Sequence, residues 1–142
     1  MFRRDRKDGH KGGGLCAYVR NNIECVVLQT DVSNSDASID IEIMWIICHY
    51  HKVDIVIDLC YHPPAPRYHS SKFVSCLSCN IDFIMQNYVV DLIAIAGDFN
   101  SLDTQFISND YGFVQIVKSP THGDNLLTNF LSAEAICTAP QS

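Results

Sequence analysis

Asp98 and Asn100 are the residues whose types and spacing most directly permit chemistry, because they close the apolar run that begins at Val89. Val89 to Ala96 is β-branched and aliphatic, the composition of a buried strand. Gly97 then lets the backbone turn or approach another group closely. In an extended chain residues two apart share a face, so Asp98 and Asn100 are expected to project to one side at the strand's end. Open α/β sheets present their chemistry there. A carboxylate at that position can take a proton from water, and an amide beside it can hold the water or a phosphate oxygen. The plainer alternative for the same residues is a strand followed by an Asx-type turn.

Two further segments follow predicted strands in the same way. Cys60-Tyr61-His62-Pro63-Pro64 comes before Gly97-Asp98-Phe99-Asn100, and Gln115 to Asn125, containing Pro120-Thr121-His122, comes after it. With the opening Gly12-Gly13-Gly14-Leu15-Cys16-Ala17-Tyr18-Val19-Arg20, this ordered set resembles the endonuclease/exonuclease/phosphatase superfamily. Within it, the chain looks like the apurinic-type endonuclease domains of non-LTR (LINE-type) retrotransposons, from about residue 3 to about residue 136.

The resemblance implies Mg²⁺-dependent hydrolysis of a DNA phosphodiester by in-line attack of water, the metal neutralising phosphoryl charge. It assigns Asp98 to orient or deprotonate the water, Asn100 to steady the phosphate or the water, and the Tyr61 hydroxyl to approach the phosphate. Thr121, His122 and Asn125 fall where look-alikes contact the substrate, with a plain turn as the alternative; His62 is read as a loop residue. The departures are as specific as the matches. The family's early strand with an Asn and a metal-binding Glu is not found before the Gly-Gly-Gly segment, and its closing Ser-Asp-His is not found either. Asn125-Leu126-Leu127-Thr128 has Thr where look-alikes carry an Asp. Glu24 and Glu42 lie outside the expected context for a metal ligand, so no metal ligand is assigned. The expectation is a single domain over residues 1–142, truncated at both ends and catalytically defective. A non-catalytic, retroelement-derived remnant or binding module is the second reading.

Composition bounds these readings. A 47% hydrophobic content with 18% charged residues is that of a globular chain. A net charge of −6 excludes a broad electrostatic footprint for nucleic acid. Arg3, Arg4, Arg6, Lys7 and Lys11 crowd the N-terminus and read as a solvated, frayed arm, or as one that touches phosphates. No apolar stretch follows the arm as in a secretory signal, and none is long enough to span a bilayer. The expectation is an intracellular setting, the nucleus included. Seven cysteines cannot all pair internally, and Cys16, Cys25, Cys48 and Cys60 read as free thiols packed like small hydrophobes. Cys76 and Cys79 form a C-x-x-C without the second pair that structural zinc asks for.

The elements that must position these groups follow from periodicity. Strands are expected near Leu15–Arg20 and Cys25–Leu28, with a loop over residues 31–38. Ile39, Ile41, Ile43, Trp45 and Ile47 alternate with polar residues, and Val53–Leu59 returns from a polar tip as an antiparallel partner. Phe73, Leu77, Ile81, Ile84 and Tyr88 recur at helical steps behind a Ser70 or Ser71 cap. Asp91–Phe99 is the next strand, residues 101–110 a loop or helical turn, and Phe113–Val117 and Leu126–Leu131 the last strands. The pattern predicts an α+β chain with more strands than helices, most of them antiparallel. The resemblance implies the corresponding α/β sandwich: two packed sheets, here partial, with helices outside. Missing edge strands would leave faces such as Ile41-Ile43-Trp45 or Val53-Ile55-Ile57 uncovered and the chain prone to self-association.

Overall fold

The computed structural model describes residues 1–7, 12–30 and 40–119, and the backbone of 128–134. Strands β1 (Phe2–Arg4) and β2 (Leu15–Ala17) pair antiparallel as a two-stranded sheet. The main sheet has six strands in the order β3-β4-β5-β6-β8-β7. These are β3 (Glu24–Val27), β4 (Glu42–Tyr50), β5 (Val53–Tyr61), β6 (Leu92–Asp98), β7 (Val114–Gln115) and β8 (Thr128–Glu134). The fold is α+β and mostly antiparallel, as the pattern predicts. The exception is β5 with β6, which run parallel. A parallel pair needs a crossover, and helix α1 (Ser70–Asn87) supplies it.

Helix α1 buries Phe73, Leu77, Ile81 and Ile84, the positions its apolar spacing marks. They share one core with Ile41 and Trp45 of the β4 segment, Val56 and Cys60 of β5, and Ile93 and Ile95 of β6. The face carrying Ile41 and Trp45 is therefore covered, not open as expected, because the crossover helix lies on it. The helix begins earlier than a Ser70 or Ser71 cap would set it, and the cap is His69, whose Nδ1 accepts the Ser71 N–H at 3.3 Å. Tyr88 ends the helix as its C-cap and still packs, partly buried, against the same core. Of the loop or helical turn expected over residues 101–110, the structure has the helical form: a second helix, α2 (Gln105–Tyr111), which buries Ile107. No helix among the described residues is long and apolar enough to cross a membrane.

The β4–β5 turn consists of His51 and Lys52, both with positive φ (47° and 66°). Two such residues between paired Tyr50 and Val53 make the tight turn whose twist suits an antiparallel hairpin. At the other end of β4, the basic N-terminus is not frayed. Arg4 Nη2 meets Asp40 Oδ1 at 2.6 Å, and Arg6 Nη2 meets Glu42 Oε2 at 3.0 Å. These carboxylates turn the arm into strand β1. Cys25 and Cys48, expected as free thiols, are disulfide-bonded across β3 and β4, because the ladder sets them directly opposite each other.

Candidate active site

Strands β5 and β6 run parallel and in register, so they end together: Tyr61 is paired with Asp98. Alternation puts Leu59 and Tyr61 of β5 and Ala96 and Asp98 of β6 on one face. These residues, with Cys60, Gly97 and the Gly14-Leu15-Cys16 segment leading into β2, line a cavity of about 330 Å³. The small sheet thus forms one wall and the ends of two central strands form the other. Gly97 is required there by its neighbour: a Cβ would lie 2.1 Å from the Cys60 carbonyl oxygen. The close approach is to the adjacent strand, which keeps the β5 and β6 ends level.

Asn100 departs from the expected geometry. Strand β6 ends at Asp98, Phe99 is fully buried, and Asn100 has φ 49°. A left-handed residue breaks the alternation, so Asn100 does not simply continue the face of Asp98. Its backbone N–H donates to Asp98 Oδ1 at 3.2 Å, an Asx-type turn. Its side-chain Nδ2 donates to the His62 carbonyl at 2.7 Å, while His62 N–H donates to the Asp98 carbonyl at 2.8 Å. Asp98, Asn100 and His62 therefore form a closed latch between the segments after β5 and β6. His62 is more than a loop residue. It is buried, its ring meeting Phe73 at 5.1 Å and Tyr68 at 5.9 Å edge-on, and burial lowers its pKa against a smaller opposing contribution from the Phe99 backbone.

Glu42 is the site-shaping residue that sequence reasoning missed. It is 2% exposed and register partner to Tyr61. Its carboxylate accepts from Arg6 Nε at 3.3 Å and Nη2 at 3.0 Å, and from the Gly14 N–H. That clamp fixes Gly14, and with it the cavity wall, against the start of β4. Gly13 and Gly14 hold φ of 85° and 92°, and a Cβ on Gly13 would strike the Arg6 guanidinium. Beside the clamp, burial pushes the Asp40 carboxyl up, but the Lys7 N–H and the Arg4 guanidinium outweigh it and hold the pKa below the ordinary value. The sequence signal for all this was an acid two residues after another, opposite a basic arm; the pairing is invisible without the fold.

Thr121, His122 and Asn125 lie outside the described residues. Among the described residues Asp98 is the one carboxylate lining the cavity, and no three His, Cys, Asp or Glu side chains are grouped to hold a metal ion. Mg²⁺ seeks near-octahedral oxygen donors, commonly one or two carboxylates together with substrate phosphate and water. A cavity offering one carboxylate, a phenol and two thiols does not by itself fit a protein-held Mg²⁺. Scanned against protein-family models the chain matches none, and no curated protein matches it.

Proposed function

We propose that this chain is an endonuclease/exonuclease/phosphatase-like domain of the LINE-endonuclease type, and that residues 1–142 alone turn over no phosphodiester. The observation that carries the reading is the level pairing of Tyr61 and Asp98 at one cavity, at the C-terminal ends of parallel strands. In that arrangement the Asp98 carboxylate accepts a proton from water, and the Tyr61 hydroxyl donates to a phosphate oxygen of DNA. Two observations support a defective copy. Thr128 stands opposite Asp98 in the ladder, at the position where look-alikes carry an acid, and Thr supplies no charge. Asn100 donates its side-chain amide to the His62 carbonyl, which engages the group the family uses on phosphate. The loss of one positioned acid–base group lowers rates by about 10² to 10⁴.

A second reading, a non-catalytic remnant or binding module, is favoured by that same engaged Asn100. The test is nicking of supercoiled plasmid with Mg²⁺ against a metal-free control. The expected result is no nicking above control, with Asp98→Ala indistinguishable from the unaltered chain. Mg²⁺-dependent nicking that disappears in Asp98→Ala would overturn the defective-copy reading and establish the enzyme.

A further inference from the structure

The ladder between β3 and β4 sets Cys25 opposite Cys48, their Cα atoms 4.2 Å apart. Leu28 N–H donates to the Trp45 carbonyl at 2.9 Å, which makes that pair a hydrogen-bonded one. Hydrogen-bonded and non-hydrogen-bonded pairs alternate along an antiparallel ladder. Counting back three positions, Val26 and Ile47 are hydrogen-bonded, and Cys25 and Cys48 are a non-hydrogen-bonded pair. Side chains come closest at such pairs, so the sulfurs meet with the ladder undisturbed.

Position in the sheet makes this pair accessible. Among the described residues β3 lies at one end of the six-stranded order and pairs with β4 alone. Cys25 is half-buried on that edge and Cys48 is buried behind it. A small reagent therefore reaches the Cys25 sulfur first. The strand that the bond ties down is only four residues long, and so short an edge ladder has little stability of its own.

We propose that Cys25 and Cys48 are a reversible thiol–disulfide exchange site for low-molecular-weight thiols and disulfides of the glutathione class, whose state decides whether β3 stays on the sheet. In the forming direction the Cys25 thiolate attacks one sulfur of the small disulfide and expels one small thiolate. The Cys48 thiolate then attacks the Cys25 sulfur of the mixed disulfide and expels the second. Two protein thiols are oxidised, one small disulfide is reduced to two thiols, and the two protein protons go to the leaving thiolates. In the breaking direction a small thiolate attacks the sulfur of the half-buried Cys25 and Cys48 leaves as its thiolate; a second small thiolate then attacks the small-molecule sulfur of the mixed disulfide, releasing the Cys25 thiolate and the small disulfide. Reduction then frees β3 and uncovers the outer edge of β4.

The whole chain is equilibrated in buffers of varied reduced-to-oxidised glutathione, alkylated to count free thiols by residue, and followed by amide hydrogen exchange. Cys25 and Cys48 should lose reactivity together in a single transition as the buffer becomes oxidising. The Val26 amide should exchange about ten-fold faster or more in the reduced form, while amides of Leu77 to Ile84 in α1 stay unchanged. Cys25→Ser should show the fast β3 exchange in every buffer. Reduction of the unaltered chain gives the same readout without a substitution, so a poorly folding variant decides nothing by itself. Cys25 and Cys48 alkylated at every ratio, resistant to reduction at every ratio, or flanking a Val26 amide whose exchange ignores the buffer, would overturn the proposal.

Discussion

Asp58 sits in the middle of β5 with no exposed surface, and among the described residues neither carboxyl oxygen makes a hydrogen bond of good geometry. Its partner across the ladder is Trp45, whose indole N–H likewise has no acceptor among the described residues. Burial pushes the Asp58 pKa well above its ordinary 3.8; the nearby Cys60 thiol and Met44 backbone N–H offset part of this. The sign of the consequence follows from linkage. A carboxyl raised on folding is stabilising below its unfolded pKa, and that contribution is lost as pH rises toward the folded pKa. Asp58→Asn keeps the shape and removes the titration. The variant's unfolding free energy should therefore gain on that of the unaltered chain as pH rises from 4 to 7, by about 1.4 kcal/mol per pH unit until the folded pKa is passed. Asp40, whose pKa is lowered, acts in the opposite direction in both proteins and cancels in the difference. A difference that stays flat with pH would show that Asp58 is ionised in the folded state.

At the scale of elements, the Arg6–Glu42–Gly14 clamp decides where the small sheet lies. Removing Arg6 leaves a carboxylate that is 2% exposed without its charge partner, and one-sided loss of a buried pair costs about 3 kcal/mol or more. Arg6→Ala should lower the unfolding free energy by that amount and speed amide exchange at Cys16 in β2, whereas Arg3→Ala, at an exposed pair with Asp5, should change neither. The contrast also explains what could be read in advance. Helix α1 was legible because its apolar residues repeat locally at helical steps. The β4–β5 hairpin was legible because alternation and a polar tip are local too. Strand β1 was not, since a basic arm takes its structure from Asp40 and Glu42, which lie 36 residues from Arg4 and Arg6. Tyr61 and Asp98 were legible as strand ends, but their level pairing needed the parallel register that the crossover creates. Asn100 was misread because one positive φ cancels the alternation on which its placement rested.

Taken as a whole, the molecule is one large sheet with α1 on one face and the β1–β2 sheet near the ends of the central strands. Its two edges differ in protection. Strand β3 is tied to β4 by a disulfide and opens with the charge of Glu24. Strand β7 is two residues long and carries no charge; its Val114 is 65% exposed and Ile116 just beyond it 51%. An uncharged apolar edge is the usual template for strand pairing with another chain, and an added lysine is the usual block. The chain should therefore self-associate, and should do so through β7 more than through β3. In sedimentation velocity the weight-average coefficient should rise with concentration, and Val114→Lys should restore a monomer while Val26→Lys should not. A chain that stays monomeric at every concentration would mean that this edge is protected from pairing. Rescue by Val26→Lys instead would move the contact to β3, where its dependence on the Cys25–Cys48 bond can be measured in the same experiment with and without reductant.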